Sequence, residues 1–155
     1  MKRRYISLIC IIAFVLSMSG VNVRAQDTMS MVDGSYLTHE EEATGSAILI
    51  MRGEYLQAGT SKVSKGGTGI INAGGITSAH RVVNEVGVAV MVERLRAGSS
   101  SWSYYRSWEV VKTNASSASS SKRLTVPGGY YYRVRCTHWA NSDASSSSTN
   151  GIYID

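Results

Sequence analysis

Two residues able to do covalent chemistry stand close together: Cys136 and His138. A thiol beside an imidazole can act as a nucleophile with its own base. On a strand the two would share a face, their backbones about 6.5–7 Å apart. No third group is placed to orient the ring, and cysteine is also a common core residue. The pair reads as core first, and a small Cys/His enzyme stays only as an alternative. His39, His80 and His138 are the only histidines, and they are scattered. No His-x-x-x-His, paired cysteines or Asp-x-Asp pattern occurs, so no metal is expected. Gly66, Gly67, Gly69, Gly74 and Gly75 lack the Lys-Ser/Thr of a phosphate loop and do not open a helix. They suit turns and bulges, and no cofactor is expected.

A different constellation points to binding. Tyr130, Tyr132, Val134 and Cys136 alternate with Tyr131, Arg133, Arg135, Thr137 and Trp139. The first set makes a core face and the second an outward one. Aromatic rings flanked by guanidiniums can stack on sugar faces and pair with anionic groups. Tyr131, Arg133, Arg135 and Trp139 are therefore the candidate ligand-binding residues. A cell-wall polymer, or another extracellular glycan or protein, is the matching partner. The competing reading is that another part of the fold covers this face.

The elements that must carry these residues are strands. From Glu54 onward there is a single proline, much Ser, Thr and Gly, and a turn signal every ten or so residues. The pattern predicts strands over Tyr55 to Ser64, Gly69 to Thr77, Gly87 to Leu95, Ser101 to Lys112, Lys122 to Val126, Tyr130 to Trp139 and Ile152 to Ile154. Val86, Val88, Val90 and Val92 recur with period two, as in a half-buried strand. A turn centred on Ser99 sets Val90 opposite Trp108 and Val92 opposite Arg106. Met91, Glu93, Tyr105, Ser107 and Glu109 then fall on the outer face. The serine runs at Ser99 to Ser101, Ser116 to Ser121 and Ser145 to Ser148 read as loops. About seven regularly spaced strands imply an all-β antiparallel sandwich.

The N-terminus reads as an export signal. Lys2, Arg3 and Arg4 precede the apolar run Ile6 to Val15, and Val23-Arg24-Ala25 offers small residues before a cut at Gln26. The run is shorter than the roughly 20 residues that span a bilayer. Membrane contact is therefore expected only through this signal, and the processed protein is expected to be secreted or held at the cell envelope. The chain has 16 Lys+Arg and 11 Asp+Glu, a net of +5. Four of those positives (Lys2, Arg3, Arg4, Arg24) leave with the signal, so the processed chain carries 12 against 11, a net of +1. That removes the basis for a nucleic-acid partner. Cys10 leaves too, so Cys136 can form no disulfide within the chain. The division is then a signal peptide over 1–25, a flexible acidic lead over 26–45, and one β-sandwich domain over 46–155. Ala47 to Met51 is an apolar run that could form a first strand.

Two resemblances follow from these residues. Leu124, Pro127, Gly128 and Tyr130 resemble the turn into the penultimate strand of fibronectin type III-like sandwiches, where a tyrosine bonds back across the corner. A broader likeness rests on Gln57 to Ser61, Gly67 to Ile70, Val90 to Leu95, Trp108 to Val110 and Val126 to Arg135. The chain resembles a family of small secreted all-β proteins of Gram-positive bacteria, a domain of unknown function. The resemblance implies a fold and a compartment but brings no activity. The expected function is a non-catalytic extracellular or cell-surface binding or structural module. A secreted antagonistic factor of bacteriocin or toxin type is the main alternative.

Overall fold

A computed structural model describes residues 30–47 and 53–155. Across these residues the fold is all-β: strands take up 78% of them, with no helix, and form one mixed sheet curled into a half-barrel. The nine strands are β1 (Met31–Val32), β2 (Ser35–Thr38), β3 (Glu42–Ser46), β4 (Leu56–Gly67), β5 (Ile70–Arg96), β6 (Ser103–Thr125), β7 (Tyr130–Ala140), β8 (Asp143–Ser148) and β9 (Gly151–Ile154). The sheet runs β1-β2-β9-β7-β5-β4-β3, with β6 added to β5 and β8 to β7.

The long β5/β6 hairpin organises everything else. β5 is 27 residues long and β6 is 23. β6 takes one edge of β5 along both its halves. β4 takes the other edge over Ile70–Ala79, and β7 takes it over Val86–Arg96. Between the two halves the β5/β6 register slips from Ser78 to Val83, and Asn114 has a positive φ of 49°. Such irregularities let strands turn a corner and pass from one layer to another. Thr77 on the first half thus meets His138 opposite the second half.

The period-two patterns explain the core. Val86, Val88, Val90 and Val92 are buried, clustered with Ile71 and Ala73 from the first half of β5 and with Leu56 and Val63 of β4. Tyr132, Val134, Cys136 and Ala140 of β7 complete the same layer. Val90 pairs with Trp108 and Val92 with Arg106, as the turn at Ser99 predicts.

Five features depart from the sequence reading. A separate antiparallel sandwich of about seven strands gives way to a single sheet of nine, in which β2 and β9 run parallel. Residues 26–45, read as a flexible lead, hold β1, β2 and all but the last residue of β3, because β2 pairs with β9 and β3 with β4. The runs Ser116 to Ser121 and Ser145 to Ser148 are strand, not loop. Serine is tolerated there because most of those positions face outward from an already paired backbone. Tyr105 lies on the core side and not outside: Val92 pairs with Arg106 but Glu93 pairs with Tyr104, so the bulge reverses the alternation. The corner tyrosine is Tyr132, not Tyr130; its hydroxyl donates to Pro127 O at 2.8 Å. The signal segment and residues 48–52, which include most of the apolar run after Ala47, lie outside the described residues.

Candidate binding surface

β7 presents Tyr131, Arg133, Arg135 and Trp139 on the outer face, as alternation requires, but the structure does not leave them together as one open site. Arg133 is closed off. Its side chain is 1% exposed. Nε donates to Glu93 Oε2 at 2.7 Å, and Nη2 to Asp33 Oδ2 at 2.6 Å. Nη1 donates to Asp33 O at 2.9 Å and Ser35 Oγ at 3.0 Å. The Trp102 ring lies 4.3 Å from the guanidinium carbon, and its Nε1 donates to Val32 O. The β1/β2 hairpin is thus strapped across β7. The guanidinium beside Asp33 bonds to its carboxylate and attracts it, holding that carboxyl below its usual pKa.

The expectation that Arg133 faces a ligand is therefore corrected: its donors are engaged within the chain. Arg135 keeps half its side chain in solvent, with a Glu93 carboxylate oxygen 3.9 Å away. Trp139 lies flat on Gly87 of β5, where a Cβ would fall on the indole, and its Nε1 donates to Glu85 Oε1 at 2.8 Å.

Tyr131 instead joins residues that local pattern did not single out. It pairs across strands with Tyr153 of β9, their ring centroids 5.0 Å apart. His39, just after β2, completes the cluster at 4.9 Å from Tyr153 and 6.0 Å from Tyr131. The cluster borders a cleft of about 280 Å³ lined by Glu41, Lys65, Thr68 and Asp155. Lys65 joins the two features: Nζ donates to His39 O and to Glu41 Oε1, each at 3.0 Å. Ile152-Tyr153-Ile154 does signal that Tyr153 faces away from two buried isoleucines. Nothing local signals which strand lies beside it.

A second concavity, about 510 Å³, lies on the outer face of β3, β4, β5 and β6. Thr44, Thr60, Ser64, Asn72, Ser119 and Ser121 line it together with Gly74, Gly75 and the exposed Ile76, so its wall is largely apolar. Its one cation, Lys62, is paired with Glu42 at 2.8 Å.

The residues with nucleophile and base chemistry are sealed in the core. Cys136 is 2% exposed, and its Sγ approaches Gly74 O at 3.8 Å and not the imidazole. Burial pushes its thiol up to about 12, so almost no thiolate forms near neutrality. His138 is fully buried, and desolvation lowers it to about 4. Its ring lies over Gly59, where a Cβ would collide with it. Nδ1 is 2.8 Å from Thr77 Oγ1, and Nε2 is 2.8 Å from Ser147 Oγ. Thr77 has one hydroxyl proton, and it goes to Gly87 O. Bond accounting therefore assigns the proton on the ring to Nδ1, which donates to Thr77, while Nε2 accepts from Ser147. The serine–histidine contact has the reach of a nucleophile and base, but both partners are buried, Ser147 being 5% exposed. The network ties β5, β7 and β8 together as a satisfied polar link within the core. Among the described residues no group of three or more metal-ligating side chains occurs.

The chain belongs to DUF6147, a family of unknown function, whose model matches residues 29–153. The match begins before the β1/β2 strap, so the strap is part of the family's domain. No curated protein and no solved structure matches the chain.

Proposed function

We propose that this chain is an exported, non-catalytic binding module of a Gram-positive bacterium, and that it takes a cell-wall or other extracellular glycan on its outer face. The observation that carries the reading is the cluster of Tyr131, Tyr153 and His39, three rings with centroids within 6.0 Å of one another, joined to the neighbouring cleft by the Lys65 Nζ bond to His39 O. Aromatic faces stack on the apolar faces of sugar rings, and the nearby cation suits a charged polymer. The concavity over β3 to β6 is a weaker candidate because no aromatic ring lines it; its Lys62, like Lys65, is paired with a glutamate. Export rests on the order of charge, apolar run and small residues over 1–25. The absence of catalysis rests on the sealed Cys136 and His138. Co-sedimentation of the processed chain with purified wall material tests the reading. Retention that soluble wall fragments reverse supports it; a protein left wholly in the supernatant overturns it.

A further inference from the structure

We propose that β6 is a self-association edge, and that two copies of this chain pair through it, antiparallel, around a two-fold axis at the bend. Among the described residues β6 is hydrogen-bonded in the sheet only to β5, and no other described strand pairs with the far edge of its 23 residues. An open edge presents unpaired N–H and C=O groups to any second strand. Proteins guard such edges by keeping them short, with proline or with charge. β6 is long and has no proline, and Val111 is 44% exposed on it.

The bend sets how two copies can meet. The two arms of β6 face each other across the curled sheet: Trp108 Nε1 donates to Ser120 Oγ at 2.9 Å and Tyr105 OH to Thr125 O at 3.0 Å. A two-fold axis through the bend sets the first arm of one copy beside the second arm of the other. Residues pointing to the same face can then meet only in registers centred on a residue. Four centres lie in the bend, and charge chooses among them. Centring on Asn114 sets Arg106 opposite Lys122, and centring on Ser117 sets Lys112 opposite Lys122. Centring on Ala115 brings no two charges together. Centring on Ser116 sets Glu109 of each copy opposite Arg123 of the other, with no like charges facing. Glu109 has no ion pair among the described residues, and both side chains are on exposed residues. Paired opposite charges across strands are favourable and like charges are not. Val111 would pack over Ser121 in the same register.

Light scattering on size-separated processed chain across a concentration series tests this. The expected result is twice the chain mass at high concentration, falling to a monomer on dilution. Glu109→Arg and Arg123→Glu each shift the transition to at least tenfold higher concentration, and the double variant restores it. Hydrogen exchange gives the second reading: amides of β6 between Ser107 and Thr125 that point away from β5 gain protection with concentration in the parent. A chain that stays monomeric throughout, or a double variant no better than the singles with its circular dichroism unchanged, overturns the proposal.

Discussion

Arg133 and Asp33 stand 100 residues apart in the chain and meet at 2.6 Å on the outer face of β7. The contact is lopsided. The guanidinium side chain is 1% exposed and the carboxylate side chain 69%. Glu93, on the other side of the guanidinium, is 13% exposed. Removing the cation therefore leaves Glu93, a largely desolvated carboxylate, with only the half-exposed Arg135 at 3.9 Å, whereas removing Asp33 leaves Arg133 its bond to Glu93. Arg133→Ala is expected to cost about 3 kcal/mol, the usual scale for breaking one side of a buried pair. Asp33→Asn should cost a small fraction of that. Urea unfolding of both variants checks the order; equal midpoints would contradict the strap as drawn.

Acid should weaken the fold in a defined window. His138 is lowered to about 4 from an ordinary 6.5. Between those values the unfolded chain binds a proton that the folded chain refuses. Stability is therefore fully present above about pH 6.5 and falls as pH drops toward 4, by about 3 kcal/mol from this group alone. Asp33 and Asp143 are also lowered, Asp143 by the backbone N–H groups of Leu56 and Tyr55, so loss continues in the carboxylate range. Denaturant midpoints at pH 7.5, 5.5 and 4.5 should fall in that order. His138→Gln should lower the value at pH 7.5 but flatten the slope above pH 4.5.

The Cys136 thiol should be silent in the folded protein. Cys136 is buried and held up to about 12. A disulfide reagent at pH 8 is expected to label it only at the rate of unfolding, and completely in denaturant. Fast labelling without denaturant would reopen the Cys/His alternative.

Gly87 is needed because Trp139 rests on it. Gly87→Ala should force the indole off the sheet and break its bond to Glu85, at an overpacking cost of about 1–3 kcal/mol. Tryptophan emission shifting to the red, together with a lower thermal midpoint, is the expected pair of readouts.

Much of this was legible in the chain. The alternation over Tyr130 to Trp139 assigned both faces of β7, and the turn at Ser99 placed Val90 opposite Trp108. Each depends on neighbours a few residues away. What was not legible depends on distant partners. Arg133 looks like surface until residue 33 lies on it. Tyr131 looks isolated until β9 arrives beside it. Ser116 to Ser121 looks like a loop because its outward hydroxyls hide a backbone paired to Gly74, Gly75 and Ile76. Tyr105 was misplaced because a one-residue bulge leaves no mark in composition.

A binding isotherm on purified Gram-positive wall material tests the proposed binding surface most directly. The comparison is the processed parent chain against Tyr131→Ala/Tyr153→Ala, with unfolding midpoints measured alongside. Losing two stacking rings should weaken binding by roughly tenfold or more, since 1.4 kcal/mol is a factor of ten. A double variant that is folded and binds as tightly as the parent would contradict the assignment.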